Sequence, residues 1–182
     1  ASQSGGTNGG VTYSAATPVT QTFVVTRKPL TVSGVLGVNK QFNGNSTATL
    51  DCTAPTLSGV ISGDESYVAI DCTTSTNNFN NENVGNGKSI TVTGISLTGS
   101  RSNKYQLTQP SPTANITTAP ITVTAADKSK VVGAADPTFT STLSGAISGY
   151  PVTISSETYT RTSGETGGRY LITLAGGSLS SS

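Results

Sequence analysis

Residues 57–63 read LSGVISG, and residues 143–149 read LSGAISG. Six of seven letters agree, at a spacing of 86 residues. A second pair of landmarks precedes each copy: PLTVS at 29–33 and PITVT at 120–124. Both alternate apolar and polar residues, as a half-buried strand does. Each opens on proline, which a first strand position tolerates because no ladder donor is needed there. A third pair follows, GKSITVTGISLTGS at 87–100 and GRYLITLAGGSLSS at 168–181. With a gap or two, both give glycine, a strand, a glycine turn and Ser-Leu. Three landmarks in one order point to a tandem repeat rather than to chance. Short strands separated by Gly, Asn and Pro turns predict an all-β chain. The expected architecture is two tandem immunoglobulin-like β-sandwich modules, 29–118 and 119–182, behind an N-terminal strand segment, 1–28.

Composition points the same way. Hydrophobic residues make up 33% of the 182 and charged residues 10%, with a net charge of +1. Ordinary domains carry about 25% charged residues. Low apolar content can leave a chain disordered, but disorder usually comes with high net charge. Here the apolar residues are patterned, and Thr, Val, Ile and Tyr favour strands because branched and aromatic side chains pack well on a pleated surface. The ten basic residues are scattered, with only Arg27-Lys28 adjacent. Nucleic-acid binding needs them clustered, so no nucleic-acid partner is expected. No apolar run approaches the ~20 residues of a membrane span. The start carries no basic stretch leading into an apolar one; a secretory signal, if present, has been removed or lies outside this segment.

The two cysteines, Cys52 and Cys72, sit in the echoing contexts TLDC and AIDC. In a secreted β-protein this spacing predicts one disulfide closing a loop of ~20 residues; the alternative is two small buried residues on neighbouring strands. Zinc is not expected, since two thiols without histidine leave a four-ligand site unfilled. The pattern assigns Leu30, Val32, Leu50, Leu57, Ile61, Val68, Ile70, Ile90, Val92, Ile95, Leu97, Tyr105 and Leu107 to the first core. It assigns Ile121, Val123, Val131, Phe139, Leu143, Ile147, Ile154, Tyr159, Tyr170, Ile172, Leu174 and Leu179 to the second.

The landmarks then break off. After Ser-Leu the first module continues with a tyrosine-led strand around Tyr105 and a strand around Ile116, for which the second module has no counterpart. Material of that kind stands at the N-terminus, where Tyr13 lies sixteen residues before Pro29, as Tyr105 lies fifteen before Pro120. Residues 1–28 therefore read as the closing strands of another module. From Thr17 to Thr26 they place Val19, Gln21, Phe23 and Val25 on one face. Those side chains are the candidate donor strand for the groove left in the second module, by strand addition from one subunit to the next. The simpler reading is a longer tandem array whose neighbouring modules supply the strands covalently.

These residues resemble the bacterial MBG and YDG repeat modules of large secreted surface proteins. The first module has Phe42-Asn43-Gly44 where that family has Tyr-Asp-Gly. It keeps Gly59 to Asp64, Asn83-Val84-Gly85-Asn86-Gly87-Lys88 and Lys104-Tyr105-Gln106-Leu107-Thr108. The second has Asp127-Lys128-Ser129-Lys130-Val131-Val132-Gly133 and Asp136-Pro137, with Val132 where the family has Tyr. The segment around TPVTQTFVV resembles the last strand of related bacterial immunoglobulin-like repeats. The resemblance implies a secreted or cell-surface, extracellular protein whose partners are neighbouring modules or identical subunits, head to tail.

Catalytic chemistry is poorly supplied. Without histidine there is no Ser-His-Asp or Cys-His nucleophile and no usual general base. The nine acids sit mostly in turn contexts such as Gly-Asp-Glu and Ala-Asp-Pro, where they form turns, and a glycosidase needs two of them across a sugar cleft. With no Trp, an aromatic sugar platform is also lacking. Gly85-Asn86-Gly87-Lys88-Ser89 ends like a phosphate loop, but Glu82 stands where the first glycine belongs, and a strand follows where a helix is required. No cofactor is expected. Calcium is the only metal with candidate ligands: Asp64, Glu65 and Asp71, or Glu82 in its Asn-rich stretch. Lysines and asparagines for isopeptide bonds are present, but no spacing selects a pair. Two sequons, Asn45-Ser46-Thr47 and Asn115-Ile116-Thr117, arise readily in so Asn- and Thr-rich a chain.

Two functions remain. One is a non-enzymatic rod or spacer of an adhesin or fibre. The other is a carbohydrate- or protein-binding module using the loop Asn77, Asn78, Phe79, Asn80, Asn81 and Glu82, because inter-strand loops commonly carry binding.

Overall fold

The computed structural model describes residues 4–181; the first three positions of the segment 1–28, and Ser182 of the second module, lie outside them. The described chain is strand, turn and irregular backbone, with two single 3-10 turns at Glu65–Tyr67 and Ser102–Lys104. A small hairpin, β1 (Gly6–Asn8) with β2 (Val11–Tyr13), comes first. Residues 14–27 form no strand. The first module then runs through β3 (Lys28–Ser33), β4 (Leu36–Gly37), β5 (Lys40–Gln41), β6 (Leu50–Asp51), β7 (Thr56–Ser58), β8 (Ala69–Asp71), β9 (Thr76–Phe79), β10 (Gly85–Thr93), β11 (Ser96–Thr98), β12 (Tyr105–Leu107) and β13 (Thr113–Thr117). The second holds β14 (Thr122–Ala125), β15 (Ser141–Ser144), β16 (Val152–Arg161) and β17 (Ile172–Ser181).

In the first module one sheet has the order β5-β13-β10-β9 and another β12-β3-β7, with β11-β8 and β4-β6 as smaller ladders. The tyrosine-led strand and the strand around Ile116, expected from the sequence, are β12 and β13. Both make a parallel pairing: β12 with β3 and β13 with β5. One core cluster gathers Val35, Ala48, Phe79, Ile90, Val92, Ile95, Ala114 and Ile116; the other gathers Leu30, Val68 and Tyr105. Alternation explains which residues arrive there. Along β10 the burial of Ile90 and Val92 skips Thr91, and along β13 that of Ala114 and Ile116 skips Asn115.

The repeated heptapeptide has a backbone cause. It ends β7 in the first module and β15 in the second. Its first glycine takes positive φ in both copies, 97° at Gly59 and 92° at Gly145, a conformation that costs glycine nothing and strains other residues. A Cβ there would crowd the Pro29 carbonyl in one module and the Pro120 carbonyl in the other, at 3.2 and 2.5 Å. The Ile-Ser-Gly that follows closes the same turn twice: the Asp64 amide donates to the Ile61 carbonyl and the Tyr150 amide to the Ile147 carbonyl, both at 2.9 Å.

The modules meet without a spacer. The Tyr150 ring packs edge-on against Phe42 at 4.8 Å between centroids, and its hydroxyl donates to Glu82 at 3.2 Å. Gly44 leaves room for that ring, which lies 2.9 Å from where a Cβ would stand.

Burial divides the modules. Every fully buried hydrophobic side chain among the described residues lies at or before Ile116. In the first module the sequence misplaced Ile61, which is 47% exposed, and missed Val35, Ala48, Phe79, Ala114 and Ile116. Ile61 sits in the tight turn after β7, where its side chain has no sheet to face. In the second module the assigned core is only half-buried, and Val131 and Leu179 are 78% and 50% exposed. Val131 corresponds to the exposed Gln41, so strand parity turns it outward.

Candidate functional site

In the second module, the segments that correspond to the partners of β13 border a cavity. In the first module β13 is the strand between β5 and β10. Its Ile116 and Thr117 pair with Lys40 and Gln41, and its Thr113 and Ala114 pair with Ser89 and Lys88. Lys130-Val131 is the counterpart of Lys40-Gln41, and the two lysines behave alike. The Lys40 amine donates to the Asn45 carbonyl at 2.6 Å and to Asn43 Oδ1 at 2.9 Å. The Lys130 amine donates to the Ala134 carbonyl at 3.0 Å and pairs with Asp136 at 2.8 Å. Each clamps the turn that follows it. Residues 166–170 are the counterpart of Gly85–Ser89, on the shared Gly-Lys/Gly-Arg landmark. Between these walls lies a cavity of about 790 Å³, lined by Lys130 and Val132 on one side and by Thr166, Arg169 and Tyr170 on the other, with Phe139.

Pairing differs between the modules. In the first module β3 lies between β12 and β7, and β10 between β13 and β9. In the second, among the described residues, β14 pairs with β15 alone and β17 with β16 alone. The open edge of β14 answers to the side of β3 that β12 fills, whereas 130–131 and 166–170, which answer to the partners of β13, lie in no strand; unpaired backbone groups are a template for an added strand. At the cavity's rim Lys130 and Arg161 alternate with Asp136 and Glu165 in a four-membered ion-pair ring, with contacts of 2.7 to 2.9 Å. The Lys130 and then the Arg161 contacts hold both carboxyls below their usual range.

The first module's one buried acid is structural. Asp64 is 4% exposed. The Tyr105 hydroxyl donates to its Oδ2 at 2.8 Å and accepts from the Ile61 amide at 3.1 Å. Arg101 pairs with Oδ1, and the Lys104 amine lies 3.3 Å from Oδ2. The Tyr105 hydroxyl, and after it the two cations, hold the carboxyl below the usual carboxylate range against the opposing effect of burial. A carboxylate so held is ionised at neutral pH and has no proton to give. Because its folded pKa is depressed, its contribution to stability is complete above the ordinary value of about 4 and is lost as pH falls through the folded value. Replacing Asp64 with Asn is expected to destabilise the protein at neutral pH, and that difference is expected to shrink below about pH 4. Urea midpoints of both proteins across that range check it; a gap that stays constant with pH would refute the assignment.

The other sequence candidates are dispersed. Cys52 and Cys72 form the disulfide, with Cα atoms 6.6 Å apart. The stretch expected to be a ligand loop is not one. Thr76–Phe79 is β9, in register with β10, and Phe79 opposes Ile90. Phe79 is 3% exposed in the main core, so it presents nothing to a ligand. Alternation along β9 turns Phe79 inward and Asn78 outward, but a lone apolar residue among asparagines carries no such signal in the sequence. Only residues 80–82 remain as a turn, and Glu82 there receives Tyr150. The oxygens weighed for calcium are also separated: Asp64 is held by Arg101, while Asp71 accepts from the amide and hydroxyl of Thr73. Among the described residues no metal-sized group of acids and cysteines gathers, and no helix is long and apolar enough to cross a membrane. Val19, Phe23 and Val25 of the donor candidate are 80 to 88% exposed.

Comparison with known families finds two domains in the chain. Residues 26–115 match the YDG domain, and residues 121–181 match the MBG domain of the YGX type. Among curated proteins and among solved structures, nothing matches the chain. Neither domain family is known as an enzyme.

Proposed function

Since the chain belongs to the YDG and MBG repeat-domain families, we propose that it is a non-enzymatic structural module of an extracellular bacterial surface adhesin or fibre. It acts as a rod segment or spacer, and it joins its neighbours head to tail through a strand added to the second module. The observation that carries this reading is the slot: a cavity bordered by 130–131 and 166–170, the counterparts of the two segments that pair with β13 in the first module. The spacerless joint at Phe42 and Tyr150 supports a stiff rod. The disulfide supports an oxidising, extracellular setting. A second reading is a carbohydrate- or protein-binding adhesion module. The slot itself favours it, since its volume falls within the roughly 300–1,000 Å³ of ligand pockets.

Amide hydrogen exchange tests the first reading. Two peptides are added separately to the full chain, one of residues 109–119, which carries β13, and one of residues 13–28. At least one is expected to slow exchange at residues 130–131 and 166–170, the counterparts of the two segments that pair with β13. If neither changes their protection, the slot is not a strand acceptor. A glycan that binds the chain and slows exchange around the slot would support the second reading instead.

A further inference from the structure

The occupant of the slot can be named by register. We propose that residues 22–26 of a second copy of this chain enter the slot of the second module and complete it as β13 completes the first. This rests on the strand-acceptor reading above. Aligned on the prolines Pro29 and Pro120, residues 22–29 read TFVVTRKP against TANITTAP at 113–120. Thr22 and Thr26 match Thr113 and Thr117. Phe23 and Val25 take the places of Ala114 and Ile116, which are 5% and 1% exposed in the first core. Val24 takes that of Asn115, which stays half-exposed. The inward positions of the segment are therefore its apolar ones.

The walls agree with that register. Ile116 pairs with Lys40 and Thr117 with Gln41, so Val25 falls beside Lys130 and Thr26 beside Val131. Ala114 pairs with Lys88 and Thr113 with Ser89, so Phe23 falls beside Arg169 and Thr22 beside Tyr170. Those four wall residues border the slot, and Lys130, Arg169 and Tyr170 line the cavity directly. Size fits as well. In the first module the Ala114 methyl would lie 3.0 Å from a Cβ on Gly37, a place with no room for an aromatic ring. The second module has open volume there, and Phe23 is the side chain to occupy it.

Topology points to another copy. Two residues separate Thr117 from Pro120, where the second module begins, and two separate Thr26 from Pro29, where the first begins. The segment thus closes whatever module lies on the Pro29 side of the first, whereas its own second module lies at the opposite junction. Within its own chain it has no strand partner among the described residues, and Phe23, Val24 and Val25 are each at least 84% exposed. Val19 and Gln21 of the wider candidate map ahead of β13 and lie outside the slot. A contact between the front of one copy and the back of the next does not close, so it propagates.

The test uses the full chain, refolded from denaturant so that slots and segments meet as folding proceeds. Light scattering after size exclusion is expected to find concentration-dependent oligomers of the wild type. The double substitution Phe23→Asp, Val25→Asp is expected to weaken self-association by about a hundredfold or more, since two buried anchors become charges. Val24→Thr is expected to leave it intact. The doubly substituted chain, whose slot is unaltered, is expected still to bind a fluorescent peptide of residues 13–28, which also reports that it is folded. A monomeric wild type, unchanged association in the double variant, or failure of that peptide to bind would each overturn the inference. Binding of the 109–119 peptide alone would leave the acceptor reading standing while removing this donor; binding of neither removes both.

Discussion

Truncating Ile90 to alanine is expected to destabilise the first module by about 2–5 kcal/mol, among the largest effects of any single substitution in the chain. Its side chain is fully buried. It opposes Phe79 on β9, and its amide donates to the Pro112 carbonyl ahead of β13 at 2.9 Å. Its Cδ1 would stand 2.6 Å from a Cβ on Gly37. The pocket is thus bounded by β4, β9 and β13, three segments tied by ladders that cannot collapse into a void together, so the cavity term stays near its upper range. Truncating Leu174 on β17 is expected to cost less in the isolated chain, because that side chain is only half-buried. Urea unfolding followed by circular dichroism measures both; a shift in midpoint with an unchanged slope is the signature of lost packing. Equal losses at Ile90 and Leu174 would contradict the difference in burial.

Removing the disulfide by the paired substitution Cys52→Ala, Cys72→Ala is expected to cost about 3 kcal/mol, the loop-closure value for a crosslink of this span. The bond ties the end of the β4–β6 hairpin to the end of β8, and both cysteines pack against the main core. Its removal frees the segment 52–72, which includes β7, the turn of Asp64 and β8. Loss should therefore concentrate in the first module. The second has Thr138 and Thr158 at the same 86-residue offset and lacks a disulfide there. Exchange of the β7 and β8 amides, compared with those of β16, checks both size and place. A paired variant as stable as the wild type would show that folding holds these strands together without the bond.

Much of this molecule was legible from local chemistry. Strand parity placed Leu30, Ile90, Val92 and Tyr105 inside, and glycine and proline marked the turns, because both depend on neighbours a few residues away. The repeat was legible because the same turn, built on the same positive-φ glycine, is needed twice. What stayed hidden depends on distant residues. Phe79 read as part of an exposed loop until β10 was seen beside it. Asp64 read as a solvated turn until Tyr105, Arg101 and Lys104 converged on it from some forty residues away. Sequence by itself determined that the chain is all β and that it carries two modules of one pattern. Only the tertiary structure placed a cavity between the segments of the second module that correspond to the partners of β13. Its walls, Lys130–Val131 and residues 166–170, are far apart in the chain, and the ion pairs of Lys130 and Arg161 with Asp136 and Glu165 tie the two regions together.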